Sequence, residues 1–125
     1  MIGAGIIVRP ASPFIGHVQR QVAFANGRSQ RVHVEEQLAT GTIRLWSRAA
    51  RPAVVKQLED PDRYAWERNR GSHLVGFKVD RKLHLIGEVY LPAATLDADE
   101  WRFCVHLLAE RCDRIEYLLS GKDEH

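Results

Sequence analysis

Cysteine is scarce in this chain of 125 residues, which contains only Cys104 and Cys112. The pattern around them predicts a single helix, in which eight residues at 1.5 Å per residue separate the two by about 12 Å. This separation exceeds the Cα limit of about 7 Å for a disulfide. A disulfide scaffold is therefore excluded, and we interpret both cysteines as small buried residues in a reducing cytosol.

Long apolar runs are also missing. The longest strongly apolar stretch near the N-terminus, Gly3 to Val8, is far shorter than the ~20 residues that a transmembrane helix needs. A basic region before it and a small-residue cleavage site after it, the marks of a secretion signal, are absent. We therefore expect a cytoplasmic protein that has no membrane association.

Motifs for metals, cofactors and catalysis are missing as well. Gly3-Ala4-Gly5 does not continue to the third glycine of a dinucleotide-binding loop, because position 8 is Val8. No serine has the sequence context of an activated nucleophile. Six histidines are scattered without the i, i+4 spacing of a zinc helix: His17, His33, His73, His84, His106 and His125. The sequence thus predicts no catalytic, metal-binding or cofactor-binding residue, and we expect a protein that is not an enzyme.

Acidic residues are scarce in the first half of the chain. Residues 1–58 contain two acids against eight lysines and arginines, whereas residues 59–125 contain fourteen acids against ten bases. The two segments therefore carry net charges of +6 and −4, and such asymmetry can indicate a nucleic-acid-binding face. One candidate function is accordingly a nucleic-acid-binding regulator that uses the arginines of the N-terminal segment: Arg20, Arg28, Arg31, Arg44 and Arg48.

Alternating apolar residues predict a meander of three strands in this basic half. The predicted strands cover residues 18–24, 31–35 and 42–47. Asn26-Gly27, between the first two, is a strong hairpin signal. A three-residue loop, 26–28, places Val22 opposite Val32 and keeps the apolar side chains of both strands on one face.

A second hairpin is predicted after one or two short helices, the first over residues 53–58 and the second from residue 61 to residue 69 or 70. Its strands cover residues 72–79 and 83–91. A three-residue loop, 80–82, sets Val79 opposite Leu83, so that the two apolar sets share a face.

The best-defined element is a C-terminal helix. Asp97 and Glu100 have the spacing of a capping box, and Gly121 is a natural C-cap. Apolar residues at helical spacing form one stripe: Trp101, Cys104, Val105, Leu108, Cys112, Ile115 and Leu119. Because strands and helices are segregated, the sequence predicts an α+β fold with an antiparallel sheet of about five strands packed against this helix. We expect residues 1–125 to form a single domain, with residues 1–16 as an N-terminal arm.

Three large apolar residues lie on the other side of this helix. With the first residue of the stripe at 0°, Phe103 lies at roughly 200°, Leu107 at roughly 240° and Leu118 at roughly 260°. Three interpretations of what covers them remain open: the N-terminal arm, a second copy of the chain, or an unidentified protein client. In the second interpretation the protein is a homodimer, and Arg111 and Arg114 form a polar rim around an apolar centre.

The C-terminal half resembles a known family. A predicted helix ends with Trp66-Glu67-Arg68-Asn69-Arg70, the second hairpin contains Gly76-Phe77-Lys78-Val79-Asp80, and the last helix contains Cys112-Asp113-Arg114. Together with the LPAATLDADEW turn that opens the last helix, these segments are similar to YbjN-domain proteins, which share a fold with the type III secretion chaperones.

The resemblance covers residues 17–122 as a YbjN-like core. It implies a secretion-chaperone-like fold and a bacterial, cytoplasmic, non-enzymatic module that binds other proteins in a chaperone-like or regulatory role. The family is often dimeric, which agrees with a homodimer that binds a protein client. No catalytic or cofactor-binding residue is implied.

Overall fold

A computed structural model describes residues 17–37 and 39–120. In chain order these residues form β1 (His17–Ala23), β2 (Ser29–Gln37), β3 (Thr42–Ala50), α1 (Pro52–Val55), α2 (Pro61–Arg70), β4 (Gly76–Val79), β5 (Leu85–Pro92), a short 3-10 turn (Ala93–Thr95) and α3 (Ala98–Ser120). The predicted α+β architecture of five antiparallel strands and a long C-terminal helix is confirmed. The expected arm over residues 1–16 lies outside the described residues, as does the predicted C-cap at Gly121.

The five strands form one sheet in the order β1-β2-β3-β5-β4, with every neighbouring pair antiparallel. In β3 the alternation of side chains is clear, because Ile43, Leu45 and Ser47 are buried while Arg44 and Trp46 are partly exposed. The buried set faces α3, since the Cys112 thiol of that helix donates to the Ser47 carbonyl oxygen at 3.6 Å. The sheet therefore has one face covered by α3 and one opposite face that carries charged and aromatic side chains.

Helix α3 begins and packs as the sequence predicts. The Glu100 amide donates to Asp97 Oδ1 at 2.8 Å, and Glu100 Oε1 accepts from the Asp97 amide at 3.3 Å, which completes the capping box. The apolar stripe is buried, with six of its seven residues at most 8% exposed and Leu119 half-buried. Both cysteines are free and buried. Burial raises the pKa of the Cys112 thiol to about 12, so this group stays protonated and packs as an apolar residue.

The predicted pairing in the first hairpin is wrong by two residues, because Val22 lies opposite Gln30 instead of Val32. The loop comprises residues 25–27, since the Phe24 amide donates to the Arg28 carbonyl oxygen at 2.8 Å. Gly27 adopts a positive φ of 88° at the last loop position. Three-residue hairpin loops need a left-handed residue at that position, and this requirement places Gly27 last in the loop rather than in its middle.

The second hairpin differs from its prediction in the same way. Val79 lies opposite Leu85, not Leu83, and the loop comprises residues 81–83. Leu83 takes the left-handed position with φ 66°, although it is not a glycine. Asp80 stabilises this turn, because its Oδ1 accepts from the amides of Lys82 at 2.9 Å and His84 at 2.8 Å.

Helix α2 is fixed at both of its ends. At its start, Pro61 follows the N-cap residue Asp60, whose Oδ1 accepts from the Arg63 amide at 3.1 Å. Near its end, Asn69 pairs with the outer edge of β4: its Nδ2 donates to the Phe77 carbonyl oxygen at 3.1 Å, and its Oδ1 accepts from the Phe77 amide at 2.5 Å. Asn69 thus occupies the place of a neighbouring strand, and it holds α2 beside the sheet.

Arg28 joins the first hairpin to α3. Its Nη2 donates to Asp113 Oδ2 at 2.7 Å and its Nε donates to the same oxygen at 3.1 Å. Its guanidinium also lies 4.6 Å from the centre of the Tyr117 ring. Asp113 is buried, and this bidentate partner supplies hydrogen bonds to its carboxylate in place of water.

Replacing Arg28 with alanine lowers the free energy of unfolding by about 1–3 kcal/mol, because the Asp113 carboxylate is left buried without its main donor. Urea denaturation measures the loss. Arg31→Ala is the matched control on β2, where the side chain is exposed, and it should change stability by less than about 0.5 kcal/mol. Equal losses in the two variants would show that the Arg28–Asp113 contact does not support the fold.

Candidate protein interface

The outward side of α3 carries the residues that the sequence predicts as an interface. The structure leaves Phe103 59% exposed and Leu118 65% exposed. Leu107 is only half-exposed, because it packs against the edge of the core. Arg111 is half-buried and Arg114 is exposed. Two of the three apolar residues are therefore more than half exposed, and the third is partly exposed.

These residues do not form one continuous patch. Phe103 and Leu118 are fifteen positions apart, which corresponds to about 22 Å along a helix. Phe103 and Leu107 border a shallow hollow of about 260 Å³ together with Phe24, His106 and Glu110, and we call it the Phe103 hollow. Leu118, Arg111 and Arg114 line a different depression further along α3.

This second depression, which we call the α2–α3 cleft, lies between the end of α2 and the second half of α3 and has a volume of about 290 Å³. Apolar side chains from β4 and α3 contribute Phe77, Ile115 and Leu118 to its lining. The polar side chains that line it are Glu67, Arg68, Ser72, Arg111 and Arg114. The cleft therefore combines an apolar surface with three guanidinium groups and one carboxylate.

The sequence analysis identified Arg111 and Arg114 but missed Arg68 and Ser72. Both missed residues come from the other wall of the cleft, at the end of α2 and just after it. The run that ends at Arg70 was noticed as part of a family resemblance and not as a binding surface. No local pattern shows that the end of α2 and the second half of α3 line one cleft, since the two helices are separated by the second hairpin in the sequence.

The arginines of the nucleic-acid alternative are largely engaged within the chain. Arg44 forms ion pairs with Glu88 at 2.7 Å and Glu35 at 3.5 Å. The guanidinium of Arg48 lies 5.4 Å from the centre of the Trp46 ring, and Arg28 is bound to Asp113 as described above. The strand register places Arg20 on the face of the sheet that α3 covers. It places Arg44 and Arg48 on the opposite face. The five arginines are therefore not gathered on one surface.

One solved structure shares this architecture. The crystal structure of the ExsC–ExsE complex contains a chain that matches with a TM-score of 0.63 over 81% of this chain and 75% of that chain, at 16% sequence identity. The predicted fold class is confirmed by this likeness. At such low identity the likeness shows the fold alone. No family model matches the chain, and no curated protein matches it.

Two further observations concern residues 17–37 and 39–120. Within these ranges, no helix is long and apolar enough to cross a lipid bilayer. The same ranges contain no group of three or more histidine, cysteine or acidic side chains that could hold a metal ion.

Proposed function

We propose that this protein is a non-enzymatic, cytoplasmic protein-interaction module of the YbjN/type III secretion chaperone-like type, with a chaperone-like or regulatory role. The single observation that carries the proposal is the exposure of Phe103 and Leu118 on a helix whose opposite side forms the core. Large apolar side chains in such positions favour a role in binding another protein. The fold supports the proposal, because it is shared with a chain of the ExsC–ExsE complex.

The five candidate interface residues divide into two proposed contacts. Phe103 and Leu107 belong to the Phe103 hollow, and we assign them to a homodimer interface. A two-fold axis would place the hollow of one copy against that of the second, so that each exposed Phe103 ring is covered by apolar surface. Arg111, Arg114 and Leu118 lie in the α2–α3 cleft and remain open to a protein client in this arrangement.

Light scattering tests the homodimer. We expect the wild-type protein to be dimeric at tens of micromolar and the Phe103→Ser/Leu107→Ser variant to be monomeric and folded. Leu74→Ser/Tyr90→Ser removes two other exposed apolar side chains and should remain dimeric. A monomeric wild type would contradict the homodimer, and a dimeric Phe103→Ser/Leu107→Ser variant would place the interface elsewhere. Unfolding of that variant would indicate that its two residues are covered by the same chain.

Copurification from the cell extract of the source organism tests the function itself. We expect a protein to copurify and, once isolated, to bind the purified chain at a fixed stoichiometry in calorimetry. Binding of random-sequence DNA or RNA that weakens steeply with salt, with no protein partner, would instead support the nucleic-acid alternative.

A further inference from the structure

We infer that the α2–α3 cleft binds an acidic segment of a client protein, with an apolar side chain on the cleft surface and flanking carboxylates on its arginines. This inference rests on the proposed protein-binding function and adds the chemistry of the partner. It starts from the polar groups that line the cleft. Arg68 Nε and Ser72 Oγ are buried, and within residues 17–37 and 39–120 neither has a hydrogen-bond partner.

Buried polar atoms without hydrogen-bond partners are costly in a folded protein, so two of them lining one cleft point to a polar ligand. Arg68 Nε can only donate, so the ligand must supply an acceptor. Two backbone carbonyl groups at the end of α2 already have partners. The Arg68 carbonyl oxygen accepts from the Gly71 amide at 3.2 Å, and the Asn69 carbonyl oxygen accepts from the Ser72 amide at 3.1 Å. Among the described groups of the cleft, Arg68 Nε is therefore an atom that requires an acceptor, and the Ser72 hydroxyl can donate to the same ligand.

The charges of the cleft favour the same kind of occupant. Among the described residues that line the cleft, Arg68, Arg111 and Arg114 face a single carboxylate, Glu67. Glu67 is paired with Arg63 on the outer side of α2 at 3.5 Å. Within the described part of the chain, the ion pair of Arg111 is a distant one, with Glu110 at 3.9 Å. The cleft therefore carries an excess of positive charge that a carboxylate-bearing segment would neutralise.

The size and lining of the cleft favour a peptide side chain over a small molecule. Its volume of about 290 Å³ lies at the lower limit of the ~300–1,000 Å³ that is typical of small-molecule pockets. Phe77, Ile115 and Leu118 offer apolar contact to one inserted side chain. Carboxylates on neighbouring positions of the same segment would then reach Arg111 and Arg114, which lie one helical turn apart on α3.

The test uses fluorescence anisotropy with the full-length chain and a labelled peptide, Glu-Asp-Leu-Phe-Glu-Asp-Leu-Glu. We expect this peptide to bind and a version with lysine at every acidic position not to bind. Arg111→Glu/Arg114→Glu should weaken binding about tenfold or more, because each replacement turns an attraction into a repulsion. Leu118→Ser should also weaken binding, by several-fold.

The matched control is Arg81→Glu/Lys82→Glu, which makes the same charge change at exposed positions of the second hairpin loop. It should alter binding less than twofold. The inference is overturned if the acidic peptide does not bind, if both charge-reversal variants lose affinity equally, or if a single-stranded oligonucleotide displaces the peptide as well as unlabelled peptide does. It is also overturned if Arg111→Glu/Arg114→Glu becomes monomeric, since the cleft would then contact a second copy of the chain.

The inference and the proposed function fail in different ways. If a client copurifies with the wild type and equally well with Arg111→Glu/Arg114→Glu, the cleft is not its binding site, but the protein-binding function stands. If no client binds either protein, the proposed function itself is contradicted. Circular dichroism on each variant confirms that the comparison is made between folded proteins.

Discussion

Replacing Leu108 with alanine lowers the free energy of unfolding by about 2–5 kcal/mol. Leu108 is fully buried at the middle of α3. It packs over β5, where its Cδ1 lies 3.2 Å from the position that a Cβ would occupy at Gly87. Alanine would remove apolar atoms from this contact and leave a cavity that helix and sheet cannot close without moving together. Urea denaturation of wild type and variant, followed by circular dichroism, measures the loss.

Leu118→Ala is the matched control for this prediction, because it makes the same chemical change on the same helix. Leu118 is 65% exposed, so its truncation creates no buried cavity and should cost less than about 0.5 kcal/mol. A loss below 1 kcal/mol for Leu108→Ala would mean that the predicted stripe is not the core face of α3. Comparable losses of stability for Leu108→Ala and Leu118→Ala would mean that the two sides of this helix do not differ in burial.

The C-terminal helix was the most predictable part of the fold because several local signals agree. The capping spacing of Asp97 and Glu100 sets its start, and the apolar repeat sets its buried side. Both signals come from α3 and the residue that precedes it, so they can be interpreted without knowing how the sheet is arranged. Strand positions were predictable for a similar reason, since alternation within β3 separates Leu45 from Arg44 on opposite faces of the sheet.

Strand register was less predictable, although the error did not change which residues face the core. Both hairpins were expected with three-residue loops, and both loops lie one position away from the expected one. A one-residue displacement of a loop changes the pairing by two residues, and a shift of two keeps every side chain on its face. In the second hairpin the left-handed residue is Leu83. The loop contains no glycine, so the sequence gives no signal for the position of the left-handed residue.

The candidate site depends on contacts between elements that are distant in sequence. Helical geometry predicts that Phe103 and Leu118 point away from the core, and the structure agrees. Leu107 is half-buried because the core extends further around this end of α3 than the stripe indicates. Arg68 and Ser72 join the site because Asn69 holds α2 against β4. The spacing of apolar residues along the sequence does not predict this tertiary contact.

Gly87 lies at a close approach between helix and sheet that the apolar pattern does not predict. A glycine inside a strand often marks such an approach, and here the reason is the packing of α3 onto β5. A Cβ at this position would lie 2.7 Å from Cys112 Sγ, 3.0 Å from Phe77 Cε1 and 3.2 Å from Leu108 Cδ1. All three neighbours are buried, so a side chain here would have to displace the helix.

Replacing Gly87 with valine therefore lowers the free energy of unfolding by about 3 kcal/mol or more, at the upper end of the range for overpacked cores. Thermal and urea denaturation measure the effect. Gly76→Val is the matched control on the neighbouring strand β4, where a Cβ would meet no atom of the described residues within 4 Å. Valine also has a higher strand propensity than glycine, so Gly76→Val should be neutral or slightly stabilising.

A double-mutant cycle separates the steric explanation from a general effect of side chains in β5. Gly87→Ala adds a single methyl group, and Cys112→Ala removes the sulfur atom that this methyl group would meet. If the contact with Cys112 causes the loss, Gly87→Ala should cost at least about 1 kcal/mol less in the Cys112→Ala background than in the wild type. Additive losses would show that the sulfur is not the obstacle, and that Phe77 and Leu108 must exclude a side chain at this position instead.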